Sequence, residues 1–238
     1  MTPGEVQAQF DNRSAEVRRL VDLIKNADTS VSPFTLPNMR LSWLTANEVS
    51  ILKATTYLVL YNLIEATMGW CQLMVAHAPK RRKRWRPKHL TPPVWKAALI
   101  AAISGATASE SVSNRIIPLT NQIFKNDPAG EFSYEFSKHD GNWKYKDIKK
   151  DAEILGVELK VSSETLATIT RSAYIDTITR TRNILAHGEE SFEGVGARMT
   201  VDEIELMATT TIDYLGDVIL SYTDFVERCL FLQEAYRP

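Results

Sequence analysis

Nine consecutive residues carry the densest chemistry in the chain: Arg180, Thr181, Arg182, Asn183, Ile184, Leu185, Ala186, His187 and Gly188. On a helix, residues four apart share a face. Asn183 and His187 therefore project together, Arg182 lies beside Asn183, and Arg180, seven before His187, falls on the same side. Gly188 ends such a helix and leaves His187 in its last turn, where the helix dipole and the unpaired carbonyls favour a positive imidazole. An imidazole that titrates near neutrality donates or accepts a proton at working pH. A neighbouring guanidinium grips a phosphate through two parallel hydrogen bonds. The pairing suits cleavage of a phosphodiester by its own 2′-hydroxyl, a reaction that needs proton transfer and charge stabilisation but no metal. One copy supplies a single imidazole. A two-fold dimer that packs these helix ends together places two His187 and two Arg182 around one scissile phosphate, which makes dimerisation part of the mechanism.

The elements that must hold this segment are helical. Apolar residues from Leu166 through Ile169, Tyr174 and Ile178 to Leu185 recur at helical spacing and predict one helix over Ser163 to His187. Thr45 with Glu48, and Thr200 with Glu203, have the spacing of capping boxes. The first opens a long helix that is apolar on nearly all sides, as a helix at the centre of a bundle is. The second opens a last helix running from Ile204 toward Cys229. A first helix is predicted over about Gly4 to Lys25, and a short one from Val94 to about Ala108. From Ser109 to Leu159 the signal weakens, with a turn at Asp140-Gly141-Asn142 and a short helix over Lys146 to Leu155 ended by Gly156. The expected fold is therefore all-α. It is an up-and-down bundle of four to five helices in a single domain over 1–238, with 109–160 as an inserted middle segment in which some strand is possible.

Composition narrows the rest. The 238 residues are 44% hydrophobic and 24% charged, as in ordinary globular chains. The formal charge of −1 hides an uneven distribution, because Lys80 to Lys88 holds seven of the 28 basic residues and the remaining chain falls to −8. Cys71 and Cys229 both lie in apolar stretches, so no disulfide framework is implied and a reducing cytoplasm fits. The first ten residues lack an apolar signal core. Lys53, Asn62, Glu65 and Gln72 interrupt the most apolar stretch, which argues against a membrane span.

The heptapeptide Arg182-Asn183-Ile184-Leu185-Ala186-His187-Gly188 resembles the Arg-Asn-x-Leu-Ala-His-Gly signature of the HEPN superfamily. Two more stretches resemble its MAE-type HEPN-like branch of prokaryotic nucleases. One is Leu52-Lys53-Ala54 with Leu60 through Thr67; the other is Asp140-Gly141-Asn142 with Ile148 and Gly156. Ser191-Phe192 also fits, and the likeness spans roughly residues 45–230. It implies a HEPN-type helical bundle, a homodimer with the cleft at its interface, and RNA as substrate. Arg182 and His187 would be catalytic and Asn183 would orient them. The product would be a 2′,3′-cyclic phosphate. The setting would be a toxin or antiphage defence component, with an antitoxin or defence-system protein as a further partner. The alternative is a non-catalytic HEPN dimer that binds RNA or a partner protein.

Other candidates are weighed beside this motif. Glu65 stands where the family often has a polar residue facing the cleft. A buried carboxylate needs a partner, Arg182 or Arg180, and a purely structural salt bridge is the competing reading. Asn62, one turn earlier, has the same two readings. Arg81, Arg82, Lys83, Arg84, Trp85 and Arg86 combine cations with an indole, which suits phosphate contact plus base stacking, a solvated loop being the bland alternative. No metal or cofactor is expected. Cys71, His77 and His139 are too scattered for a metal site, and Ser104-Gly105-Ala106 lacks the lysine of a phosphate loop.

Overall fold

Capping chemistry and apolar spacing translate directly into the long helices. The computed structural model describes residues 1–29, 44–81, 83–104, 117, 120–132, 134 and 142–238. Among them lie α1 (Pro3–Thr29), α2 (Ala46–His77), α3 (Pro92–Ser104), α4 (Tyr145–Leu155), α5 (Ser163–Ser172), α6 (Tyr174–Ala186), α7 (Phe192–Gly196) and α8 (Val201–Glu227). The fold is all-α, and among the described residues the only strand-like feature is an isolated bridge between Leu90 and Leu232. Both capping boxes form. Thr45 accepts from the Glu48 amide while Glu48 reaches back to the Thr45 amide, and Thr200 pairs with Glu203 in the same way.

α2 is the centre of the bundle. It packs against α1, α6, α7 and α8, and α1 and α8 also touch each other. Leu60, Tyr61, Leu63, Ile64, Met68, Cys71 and Met74 of α2 are all fully or almost fully buried. That burial accounts for its all-round apolar sequence. α2 with the short turn after it is long and apolar enough to cross a membrane, yet half of that apolar window is buried against its neighbours.

The expected single helix over Ser163 to His187 is two helices. The break is at Ala173, which takes a left-handed backbone (φ 48°). The break lets α5 pack on α8 while α6 packs chiefly on α2, with a smaller contact to α8. Leu166, expected inside, is 39% exposed on α5. Where described, the middle segment shares the main core through Ile148, Ala152, Leu155 and Val157. Its buried Asp151 ties three helices together: one carboxylate oxygen accepts from Gln72 of α2 and the other from the Tyr222 hydroxyl of α8, both at 2.8 Å. Paired in this way, the carboxylate escapes the cost of unsatisfied burial. Asp140 and Gly141 of the expected turn lie outside the described residues, as does everything after Ser104 in the expected third helix up to residue 108.

Candidate active site

The motif forms the C-terminal end of α6. Ala186 is its last residue, His187 the cap, and Gly188 takes the left-handed backbone (φ 68°) that reverses the chain. The Gly188 amide donates to the Leu185 carbonyl at 3.2 Å and the Glu189 amide to the Ile184 carbonyl at 3.0 Å. These two bonds satisfy the helix-end carbonyls as in a Schellman turn. His187 is exposed, and Arg180, one face-repeat earlier, is exposed too.

Arg182 points elsewhere. It follows the core residues Ile175 and Ile178 and precedes Leu185 at spacings of three and four, so its stem leaves α6 on the side that faces α2. There the guanidinium lies over the face of buried Tyr61, with its carbon 4.1 Å from the ring centre. Such a contact contributes on the order of 1 kcal/mol at a half-buried site and fixes the plane of the fork. One guanidinium nitrogen donates to the Asn183 side-chain oxygen at 2.8 Å, and the Asn183 amide donates to the Asn142 side-chain oxygen at 2.7 Å. The next residue, Trp143, closes the ring of contacts. Its backbone hydrogen-bonds the Tyr61 phenol, and its carbonyl accepts from the buried Thr179 hydroxyl at 2.5 Å. Burial pushes the Tyr61 phenol up and Glu65 adds to this. The Trp143 hydrogen bond and the Arg182 charge pull the other way.

Glu65 needs no buried partner, because it sits on the exposed side of α2, one turn beyond Tyr61 and Asn62. The expected pairing with Arg182 is replaced by the Tyr61 stack and the Asn183 hydrogen bond. Asn62 is exposed beside Tyr61. Two open grooves flank the α6 ridge of Thr177, Arg180 and Ile184. One, of about 510 Å³, adds Lys144, Asp176, Asn183 and Glu189; the other, of about 410 Å³, adds Tyr57, Glu190 and Arg198.

The basic run is not part of this cluster. It follows the C-terminus of α2, about 24 Å along the helix axis from Tyr61. Trp85 is 3% exposed and packs edge-on against Phe231, with ring centres 5.1 Å apart. The expectation that it stacks on a base is therefore corrected: the indole is the anchor of the loop, because its apolar area is better placed in the core than in water. Arg86 is half-buried and spends its guanidinium on the Lys83 carbonyl at 2.7 Å. Lys80, Arg81, Lys83, Arg84 and Lys88 remain exposed, and Arg82 lies outside the described residues. The C-terminal segment holds the loop in place: the Gln233 side chain donates to the Lys88 and Leu90 carbonyls, and His89 stacks on Tyr236 at 4.2 Å.

Sequence reading missed the roles of Tyr61, Trp143 and Thr179, which are long-range partners of the motif. Asn142 and Tyr61 stood in the stretches that carried the family likeness, without a task.

A bundle centred on a buried helix, with an Arg-Asn-x-x-x-His helix end against it, defines an all-α protein of HEPN type. The chain belongs to the HEPN_MAE_28990-like HEPN family, whose family model matches residues 5–229. No curated protein and no solved structure matches the chain.

Proposed function

We propose that this protein is a metal-independent endoribonuclease that works as a homodimer. The observation that carries the reading is the helix end itself: Arg182 is held in a fixed plane over Tyr61, and His187 is exposed one turn beyond Asn183. In the cleavage step the RNA 2′-oxygen attacks the adjacent phosphorus while one His187 takes its proton. The bond to the 5′-oxygen breaks as the His187 of a second copy returns a proton to it. Arg182 balances the charge that grows on the non-bridging oxygens. The products are a 2′,3′-cyclic phosphate and a 5′-hydroxyl. Family membership supports an RNA-related role, and a cytoplasmic toxin or antiphage component, with an antitoxin or defence-system partner, is the setting that fits such an activity.

The test incubates wild type and His187→Ala with total RNA in excess chelator and maps the new ends. Cleavage by wild type only, leaving cyclic phosphate ends, is the expected result; equal cleavage by both proteins overturns the assignment. A second reading, RNA binding without cleavage, is favoured by the exposed cations of the loop after α2. It predicts intact RNA that the wild type nevertheless retains.

A further inference from the structure

We propose that Tyr61 and the Asn142-Trp143 dipeptide are positioning residues that preset the phosphate-binding edge of Arg182; the inference rests on the nuclease reading above. A guanidinium on a long stem samples many orientations, and a bidentate grip on phosphate needs only one of them. Two contacts on the guanidinium, and a third that acts through one of them, select that orientation. The Tyr61 ring sets the plane at 4.1 Å, and Asn183 holds one nitrogen at 2.8 Å. Asn142 fixes the Asn183 amide at 2.7 Å, so that its oxygen faces the arginine. With one donor engaged by Asn183, the rest of the five-donor fork stays available to a ligand oxygen.

The dipeptide is itself anchored to both helices through Trp143. The Trp143 backbone hydrogen-bonds the Tyr61 phenol on α2, and its carbonyl takes the Thr179 hydroxyl from α6 at 2.5 Å. Trp143 is 5% exposed, so its side chain locks the peptide into the core, whereas Asn142 stays at the surface. The middle segment therefore reaches across the junction of α2 and α6 and clamps the motif from outside. It touches no reacting atom and acts only through Arg182 and Asn183.

The experiment measures single-turnover cleavage, RNA concentration dependence and the side-chain Nε–H resonance of Arg182 in wild type, Asn142→Ala, Asn142→Asp and Tyr61→Phe. Asn142 is exposed, so its variants fold as wild type does. Asn142→Ala is expected to lower kcat roughly 10- to 100-fold with KM within about twofold, and to shift or broaden the Arg182 resonance. Asn142→Asp keeps an acceptor for Asn183 and restores kcat to within about threefold of wild type, with a raised KM from its added negative charge. Tyr61→Phe keeps the ring under Arg182 but removes the phenol that holds Trp143. It is expected to lower kcat by about three- to tenfold, with a smaller change in the Arg182 resonance than Asn142→Ala gives. Wild-type kcat in this variant overturns the role of the Trp143 anchor. An Asn142→Ala variant whose kcat or whose Arg182 resonance matches wild type overturns the proposal. If wild type cleaves no RNA, the nuclease reading falls by itself. The resonance and the affinity for an RNA oligonucleotide then decide the positioning role, which stands only if both change in Asn142→Ala.

Discussion

The Arg182 guanidinium lies over the Tyr61 ring, 4.1 Å from guanidinium carbon to ring centre, across the junction of α6 and α2. The contact follows from register. Arg182 occupies a position on the core side of α6, among Ile175, Ile178 and Leu185, where a charge is tolerable only with a covering partner. A lysine has the charge but neither the flat surface to stack nor the fork to bind two phosphate oxygens. Arg182→Lys is therefore expected to lose cleavage almost as completely as Arg182→Ala, by about 100-fold or more in kcat. Circular dichroism checks that both variants stay helical. A lysine variant with near wild-type turnover means that charge alone suffices at this position.

The loop after α2 separates two effects that its sequence mixes. Trp85 is buried against Phe231, and truncating it to alanine empties a large core volume; Trp85→Ala is expected to cost about 3–5 kcal/mol in denaturant unfolding. Arg81→Ala and Arg84→Ala remove exposed cations and leave stability within about 0.5 kcal/mol. These two variants, not a conservative Trp85→Phe, are expected to weaken RNA binding and flatten its salt dependence. Reduced binding in a stably folded Trp85→Phe, with none in the arginine variants, reverses the assignment.

Much of this architecture was legible because it is local. Thr45 and Glu48 satisfy each other within one helical turn, as do Thr200 and Glu203, and Gly156 and Gly188 take the left-handed backbone for which glycine is the usual choice. What the sequence hid is decided at a distance. Ala173 breaks a helical pattern without glycine or proline to announce it, where the chain turns from packing on α8 to packing chiefly on α2. Trp85 among arginines reads as a surface residue until Phe231, far along the chain, is seen to cover it. Tyr61 sits in the buried pattern of α2 and gave no sign that its ring and hydroxyl meet Arg182 and Trp143. The catalytic candidates were visible as a motif. Their supports were not, since each reaches the motif from another segment.

Gly196 ends α7 at a point where backbone meets backbone. A Cβ added there overlaps the Ser50 carbonyl group of α2, and neither segment has a flexible side chain to move aside. α7 follows the motif directly and packs on α2, so this close approach fixes the course of the chain beyond His187. Gly196→Ala is expected to destabilise by about 1–3 kcal/mol through forced backbone shifts. The same substitution at Gly69, which has open space around it, is expected to be neutral or slightly stabilising within α2. Thermal unfolding of the two variants side by side checks the contrast, and equal stability of both removes the claim that α7 is pinned by contact at Gly196.

Burial of the phenols sets how the fold responds to alkali. Tyr222 is held well above its ordinary value of 10.0, chiefly by burial, with the negative Asp151 beside it adding to the effect. Burial likewise raises Tyr57, Tyr61, Tyr134 and Tyr214. The sign follows from linkage: below pH 10.0 these phenols are neutral in folded and unfolded chains alike, and their contribution to stability is fully present. Above it the unfolded chain releases protons that the folded chain retains, so stability falls as pH rises toward the folded values. In a variant with Tyr145, Tyr174 and Tyr236 replaced by Phe, helix content and tyrosinate absorbance are therefore expected to change together in one cooperative transition on the alkaline side. Tyr222→Phe should cost about 1–3 kcal/mol at neutral pH, since Asp151 loses the hydrogen bond from the hydroxyl. Its deficit should shrink above pH 10.0, where the wild-type phenol turns from support to liability. Tyrosinate that appears gradually in that variant while helix content stays constant contradicts the burial of these five rings.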